Sequence, residues 1–221
     1  DLNCEGTREQ LLDYCLFRWH AEQSNVLHTI ALKKVVQKVT GSEPCSDFKT
    51  QFKTRLQSGG FTNANDWMLH CLAGHSPELQ VQALQAAMQT KDEPLIKAAC
   101  ELLLDTNART DVRAEAIKLA ARSATRESLL ALCDLLNDST PAYRREYLPM
   151  LQTDYPFADY ASVEAGRQEL AKWFKKSPEA SKTLGQLARK ELKTIARRDL
   201  GDKPQKWRTW VEEQKKETVH R

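Results

Sequence analysis

The chain has 221 residues, 41% hydrophobic and 29% charged, with a net charge of +3; this length and apolar share suffice for one large core or an elongated array and exclude disorder over most of the chain. Eight glycines are about half the usual 7%, which argues against an architecture rich in β-turns or phosphate-cradling loops and for an all-helical one. No window approaches the roughly 18 apolar residues of a membrane span, so a soluble chain is expected.

The first residue is Asp1 rather than Met, which is compatible with removal of an upstream segment and leaves the compartment, cytoplasmic or extracytoplasmic, open. Thr7 to Gln10 reads as a capping box opening a first helix. Leu11, Leu12, Cys15, Leu16 and Trp19 form one apolar stripe, and Val26, Leu27, Ile30, Ala31, Val35 and Val39 another. Phe48, Phe52 and Leu56 mark a third helix stopped by Ser58-Gly59-Gly60, and Trp67, Met68, Cys71 and Leu72 a fourth. Residues 1–75 are therefore expected to hold divergent helical pairs.

From residue 76 the chain repeats itself. Leu79-Gln80-Val81-Gln82-Ala83-Leu84-Gln85-Ala86-Ala87 overlays Val112-Arg113-Ala114-Glu115-Ala116-Ile117-Lys118-Leu119-Ala120 at an offset of 33 residues, with the apolar positions coinciding. The following helices obey the same offset: residues 95–105 overlay residues 128–138. A third first helix is expected at residues 143–151, with Arg144 at the place of Arg113 and Leu148 at that of Ile117. Helix starts are signalled by a hydroxyl residue before proline at Ser76-Pro77, Thr140-Pro141 and Ser177-Pro178, where an N-cap oxygen precedes a residue whose missing N–H costs nothing in the first turn.

Two helices per 33 residues is the grammar of an α-solenoid, in which each pair carries an apolar stripe too wide for its own partner and the next pair covers it. Residues 111–120, followed by residues 127–138, resemble the HEAT repeat in its bacterial, PBS-lyase-like form, whose first helix reads V-R-x-x-A-x-x-x-L and whose second ends in L-x-D. The resemblance is clearest over residues 76–138 and partial to residue 175. It implies an all-α fold, a right-handed α-α superhelix of stacked helix pairs, with residues 76–175 as repeats and 176–221 as basic capping helices of one continuous solenoid domain. Cys100 and Cys133 take equivalent inner positions and read as packing thiols. Cys4, Cys15, Cys45 and Cys71 allow three disulfide pairings, between which the sequence does not choose.

At the C-terminal end, Leu192, Gly201, Pro204 and Trp207 with Trp210 echo Leu32, Gly41, Pro44 and Phe48 with Phe52. The paired tryptophans are expected to anchor a terminal cap. Residues 172–221 carry a net +8 and residues 1–171 a net −5.

Common catalytic signatures are missing: the sequence holds no Walker loop, G-x-G-x-x-G, G-x-S-x-G, H-E-x-x-H or C-x-x-C. His70, Cys71 and His75, with Cys15 and His20 elsewhere, have irregular spacing, so no metal site is assigned and no cofactor is expected. Residues 153–160, with Asp154, Asp159 and three aromatics, read as an interrepeat loop rather than an acid–base pocket.

The resemblance implies a non-catalytic scaffold that binds another protein or peptide on a concave surface lined by second helices. The candidate residues there are Lys97, Glu101, Arg126, Glu127 and Asp134. The alternative is nucleic-acid binding through Arg189, Lys190, Lys193, Arg197 and Arg198, as in HEAT-like DNA-binding proteins. A weaker third reading, a lyase or chaperone acting on a tetrapyrrole-bearing protein, has no pocket residue to support it.

Overall fold

A computed structural model describes residues 53–143, apart from 55, 75 and 76, and residues 181–219. They form seven helices: α1 (Ala64–Gly74), α2 (Pro77–Ala87), α3 (Glu93–Leu104), α4 (Thr110–Ser123), α5 (Arg126–Asp134), α6 (Leu184–Ala196) and α7 (Pro204–Val219). Among the described residues there is no strand, only an isolated bridge between Pro141 and Thr183. The all-helical character expected from low glycine and 3.6-residue periodicity is therefore present. The N-terminal capping box and the first two helical stripes lie outside the described residues.

The helix boundaries follow from local chemistry. Asp92 caps α3 by accepting from the Leu95 N–H at 3.1 Å, with Pro94 in the first turn, where its missing donor leaves nothing unsatisfied. Thr125 caps α5 through the Ser128 N–H. Thr183 and Gln186 close a reciprocal capping box at α6, at 3.2 and 3.0 Å. Pro77 opens α2 as its sequence context predicts.

Thr140-Pro141 does not open a helix. The Leu184 N–H donates to the Thr140 carbonyl at 2.9 Å, and the Ala142 N–H to the Lys182 carbonyl at 3.0 Å. The Thr140 carbonyl is thus engaged by a residue 44 positions later, and the backbone here pairs across instead of coiling. Residues 140 and 184 are consequently neighbours, and residues 144–180, which include most of the expected third first helix and the 153–160 loop, lie outside the described residues. Among the described helices, α6 packs against α4 on the side away from α2.

Contacts between helices sort them into two rows. In one, α2 packs on α4 and α4 on α6; in the other, α1 packs on α3, α3 on α5 and α5 on α7. Consecutive helices cross between rows, α1 to α2, α3 to α4 and α4 to α5. The apolar stripes predicted from the sequence face these contacts: Leu79, Leu84, Leu95, Leu103, Ile117, Leu119 and Leu132 are all buried. Each such side chain contributes about 1.5–3 kcal/mol relative to exposure, against about 0–1 kcal/mol for a surface ion pair. Apolar stacking thus dominates the energetics. Ala83, Ala87, Ala99, Ala116 and Ala120, also buried, keep the helices close.

The 33-residue offset recurs in the hydrogen bonds. Gln80 Nε2 donates to the Leu72 carbonyl near the end of α1 at 2.9 Å, and Arg113 Nε, 33 residues on, donates to the Leu103 carbonyl near the end of α3, 31 residues beyond Leu72, at 3.0 Å. Asp105 Oδ1 accepts the Asn107 N–H at 2.9 Å, and Asp138 Oδ1 accepts the Thr140 N–H at 2.8 Å. Equivalent positions in successive units thus hold equivalent turns.

Candidate functional site

Helix α4 carries charged side chains in the interior, and each has a partner, as burial demands. Arg113, only 3% exposed, reaches Asp138 Oδ2 at 2.7 Å, and Asp111 holds Arg109 at 2.7 Å. Glu115 accepts from Lys118 Nζ at 2.7 Å and from the Tyr143 hydroxyl at 3.3 Å. Burial opposes ionisation of Asp138, but the Thr140 hydroxyl and N–H and then Arg113 outweigh it and hold the carboxyl below the usual carboxylate range.

A cavity of about 650 Å³ opens at the N-terminal end of α4, lined by Thr106, Asn107, Arg109, Arg113, Asp138 and Thr140 among others. Its two guanidiniums are already matched by Asp111 and Asp138. The cavity wall is polar with compensated charge.

A second cavity, about 310 Å³, lies between α1 and α3. Leu69, Leu72 and Ala73 of α1 face Ala98 and Leu102 of α3 across it, and Glu101 and Asp105 stand on its rim. Leu104 of α3, which does not line this cavity, is 43% exposed, the one large apolar side chain so exposed among the described residues. Ala98, Glu101, Leu102 and Asp105 follow the i, i+3, i+4, i+7 spacing that puts them on one helical face. An apolar floor with an acidic rim can receive an amphipathic segment.

The five residues expected on the second helices divide into two groups. Lys97 and Glu101 are exposed on α3, and Glu127 is exposed in the first turn of α5. Arg126 and Asp134, by contrast, are tied within the molecule: Arg126 Nη2 meets Glu212 of α7 at 2.5 Å, and Asp134 pairs with Arg208 of α7. Glu101 belongs to the groove, whereas Arg126 and Asp134 fasten the last helix to the row. Asp105, Leu69, Leu72 and Ala73 are not among the site residues expected from the sequence, although the offset from Asp138 points to Asp105.

The basic candidates also spend charge internally. Arg189 Nη2 approaches Asp199 Oδ1 at 3.1 Å and Lys193 Nζ approaches Oδ2 at 3.7 Å. The Gly201 N–H, then Arg189 and Lys193, holds the Asp199 carboxyl below its ordinary range. Lys190 lies 3.8 Å from Glu191. Arg197 is the left-handed C-cap of α6, and it and Arg198 are exposed.

Among the described residues no group of three or more His, Cys, Asp or Glu side chains is placed to hold a metal. His70 is on the surface with its ring 5.2 Å from that of Phe61, while Cys71 beside it is buried; His75, Cys15 and His20 lie outside the described residues. Cys133 is buried, Cys100 is half-buried, and both are free thiols. Burial, reinforced by Glu127 and Glu101, pushes the Cys100 thiol up to about 11, and burial pushes Cys133 to about 11 against the opposing effect of Arg208. Such thiols are poor nucleophiles at neutral pH, which suits packing. Trp207 and Trp210 are buried edge to face at 6.0 Å, and Trp207 Nε1 donates to the Gly201 carbonyl at 2.7 Å.

No helix among the described residues is long and apolar enough to cross a membrane. No protein-family model, curated protein or solved structure matches the chain.

Proposed function

We propose that this chain is a HEAT-like α-solenoid, a right-handed α-α superhelix, that serves as a non-catalytic scaffold for protein–protein interaction. Two rows of helices with recurring contacts, and a 33-residue offset repeated in the turns at Asp105 and Asp138, support the architecture. The observation that carries the function is the groove between α1 and α3, with its apolar floor and Glu101 on the rim. A solenoid presents such a row of helices as an extended binding surface, and fold alone does not choose the partner. The chemistry of this surface therefore has to.

Nucleic-acid binding would need cations free to displace counterions from phosphates. Two of its five candidates, Arg189 and Lys193, already share Asp199, so the groove is the better supported surface. The test is affinity capture with the full chain beside the Lys97→Glu/Glu101→Lys variant, followed by quantitation of each captured protein. A specific partner whose recovery falls with the variant is the expected result; unchanged recovery would refute use of this surface.

A further inference from the structure

The repeat supplies its own template for what the α1/α3 groove accepts. Thirty-three residues beyond the groove-lining face of α3, Ala98, Glu101, Leu102 and Asp105 become Ala131, Asp134, Leu135 and Asp138. In that second copy the apolar stripe is closed and both acids are paired. Ala131 and Leu135 are buried, Asp134 takes Arg208 from the docked helix α7, and Asp138 takes Arg113. In the first copy Ala98 and Leu102 are only half-buried, and neither Glu101 nor Asp105 has a cationic partner among the described residues. The position equivalent to Arg113 is Gln80, whose amide is neutral and donates to Leu72.

Resting on the scaffold reading above, we infer that the α1/α3 groove binds a basic amphipathic helix of a partner protein, chosen by charge complementarity to its acidic rim. The same chain shows how such an occupant works: α7 combines a cation, Arg208, with the buried apolar residues Trp207, Trp210 and Val211 on one helix. The groove asks for the same combination. Leu69, Leu72, Ala98 and Leu102 offer the apolar floor. Glu101 and the C-cap Asp105, four residues apart, have the spacing that puts Cβ atoms roughly 6 Å apart on one helical face, matched by Lys or Arg at i and i+4 of the occupant. The rim selects against an acidic helix, since like charges brought together at an interface are penalised. Lys97 does not line the cavity.

The probe is a fluorescein-labelled synthetic helix with Leu at i, i+3, i+4 and i+7 and Lys or Arg elsewhere, measured by anisotropy against the full chain beside a twin carrying Glu in place of the cations. The basic helix is expected to bind, more weakly as salt rises, and the acidic twin is not. Glu101→Lys/Asp105→Lys should weaken binding by about ten-fold or more, because two attractive pairs become repulsive. Ala98→Trp, which fills the groove and keeps both acids, should weaken it as well; circular dichroism confirms that both variants are folded. Equal binding of the two helices, or unchanged affinity in both variants, overturns the inference. Self-association in sedimentation that disappears with Glu101→Lys/Asp105→Lys also overturns it, by making a second copy the occupant. If the basic helix does not bind while affinity capture still finds a partner sensitive to Lys97→Glu/Glu101→Lys, the scaffold reading stands and this partner class falls.

Discussion

Among the described residues the second-helix row runs from an α1/α3 end to an α5/α7 end, and its two inner helices, α3 and α5, carry the same sequence unit finished differently. At α5, carboxylates at positions 134 and 138 are neutralised within the chain, one by α7 and the other by Arg113. At α3, the equivalent carboxylates at 101 and 105 stand on the rim of an open apolar groove. A repeat leaves every unit with a surface that its neighbour must complete. The acids of α5 are thus matched within the molecule, whereas those of α3 line a cavity, the surface to which the proposed function assigns binding.

Removing the device that closes the α5 end should have the largest effect. Trp207 is fully buried on α7, which packs against α5, so Trp207→Ala is expected to cost about 3–5 kcal/mol in chemical denaturation. A loss under 1 kcal/mol would mean that α7 is a passive appendage, and the contrast between the two ends would lose its basis.

Arg113 is the next point of difference, because Gln occupies its place one repeat earlier. Arg113→Gln makes the second unit like the first and strands Asp138; the expected loss is about 3 kcal/mol, the scale for breaking a buried pair. Gln80→Ala, which removes one neutral hydrogen bond, should cost only about 1 kcal/mol. The ionic part has a pH signature. The Asp138 carboxyl titrates below the ordinary 3.8 in the folded chain, so its contribution is complete above that value and disappears as the pH falls through the lower, folded-state value. Stability curves of wild type and Arg113→Gln should therefore converge on acidification below about pH 4. Parallel curves would assign the loss to packing.

Much of this contrast is legible in the sequence and part of it is not, for reasons of range. The apolar stripes of the described helices, the 33-residue offset between Asp105 and Asp138 and the buried tryptophan pair come from sequence patterns and reappear in the structure. Thr140-Pro141 carries the local signature of a helix start, yet its carbonyl is taken by the Leu184 N–H, a contact that no window of a few residues contains. Arg126 and Asp134 look like free surface because periodicity identifies a helical face without naming what covers it. Glu212 and Arg208 cover them from 86 and 74 residues away. Asp105 was within reach: overlaying it on Asp138 asks at once where its cation is.

The junction of α5 with α6 gives a test of intermediate size. A Cβ on Gly185 would sit 2.6 Å from the Leu136 carbonyl oxygen, 2.8 Å from that of Leu135 and 2.9 Å from that of Asp138. All three neighbours are backbone, so α6 must move off the end of α5 to make room. Gly185→Ala should cost about 1–3 kcal/mol despite the better helix propensity of alanine, which is worth at most about 1 kcal/mol. If the variant is instead stabilised, as propensity alone would have it, α6 is not pressed against α5, and closure of this end rests on α7 alone.

The smallest effect discriminates most finely between the two ends. Arg126 with Glu212, and Arg208 with Asp134, are exposed pairs, so a double-mutant cycle on each should return a coupling of about 0.2–1 kcal/mol that shrinks in salt. Among the described residues Glu101 and Asp105 have no ion pair to lose; Glu101→Lys should leave stability within about 0.5 kcal/mol of wild type, and Asp105→Lys should cost no more than about 1 kcal/mol, the turn hydrogen bond to the Asn107 N–H. A carboxylate without a cationic partner costs little to replace when the chain is alone, and on the proposed function its charge acts in the complex. A measurable stability cost at both α3 positions would show that these acids already serve the fold, and the distinction between a closed and an open end would disappear.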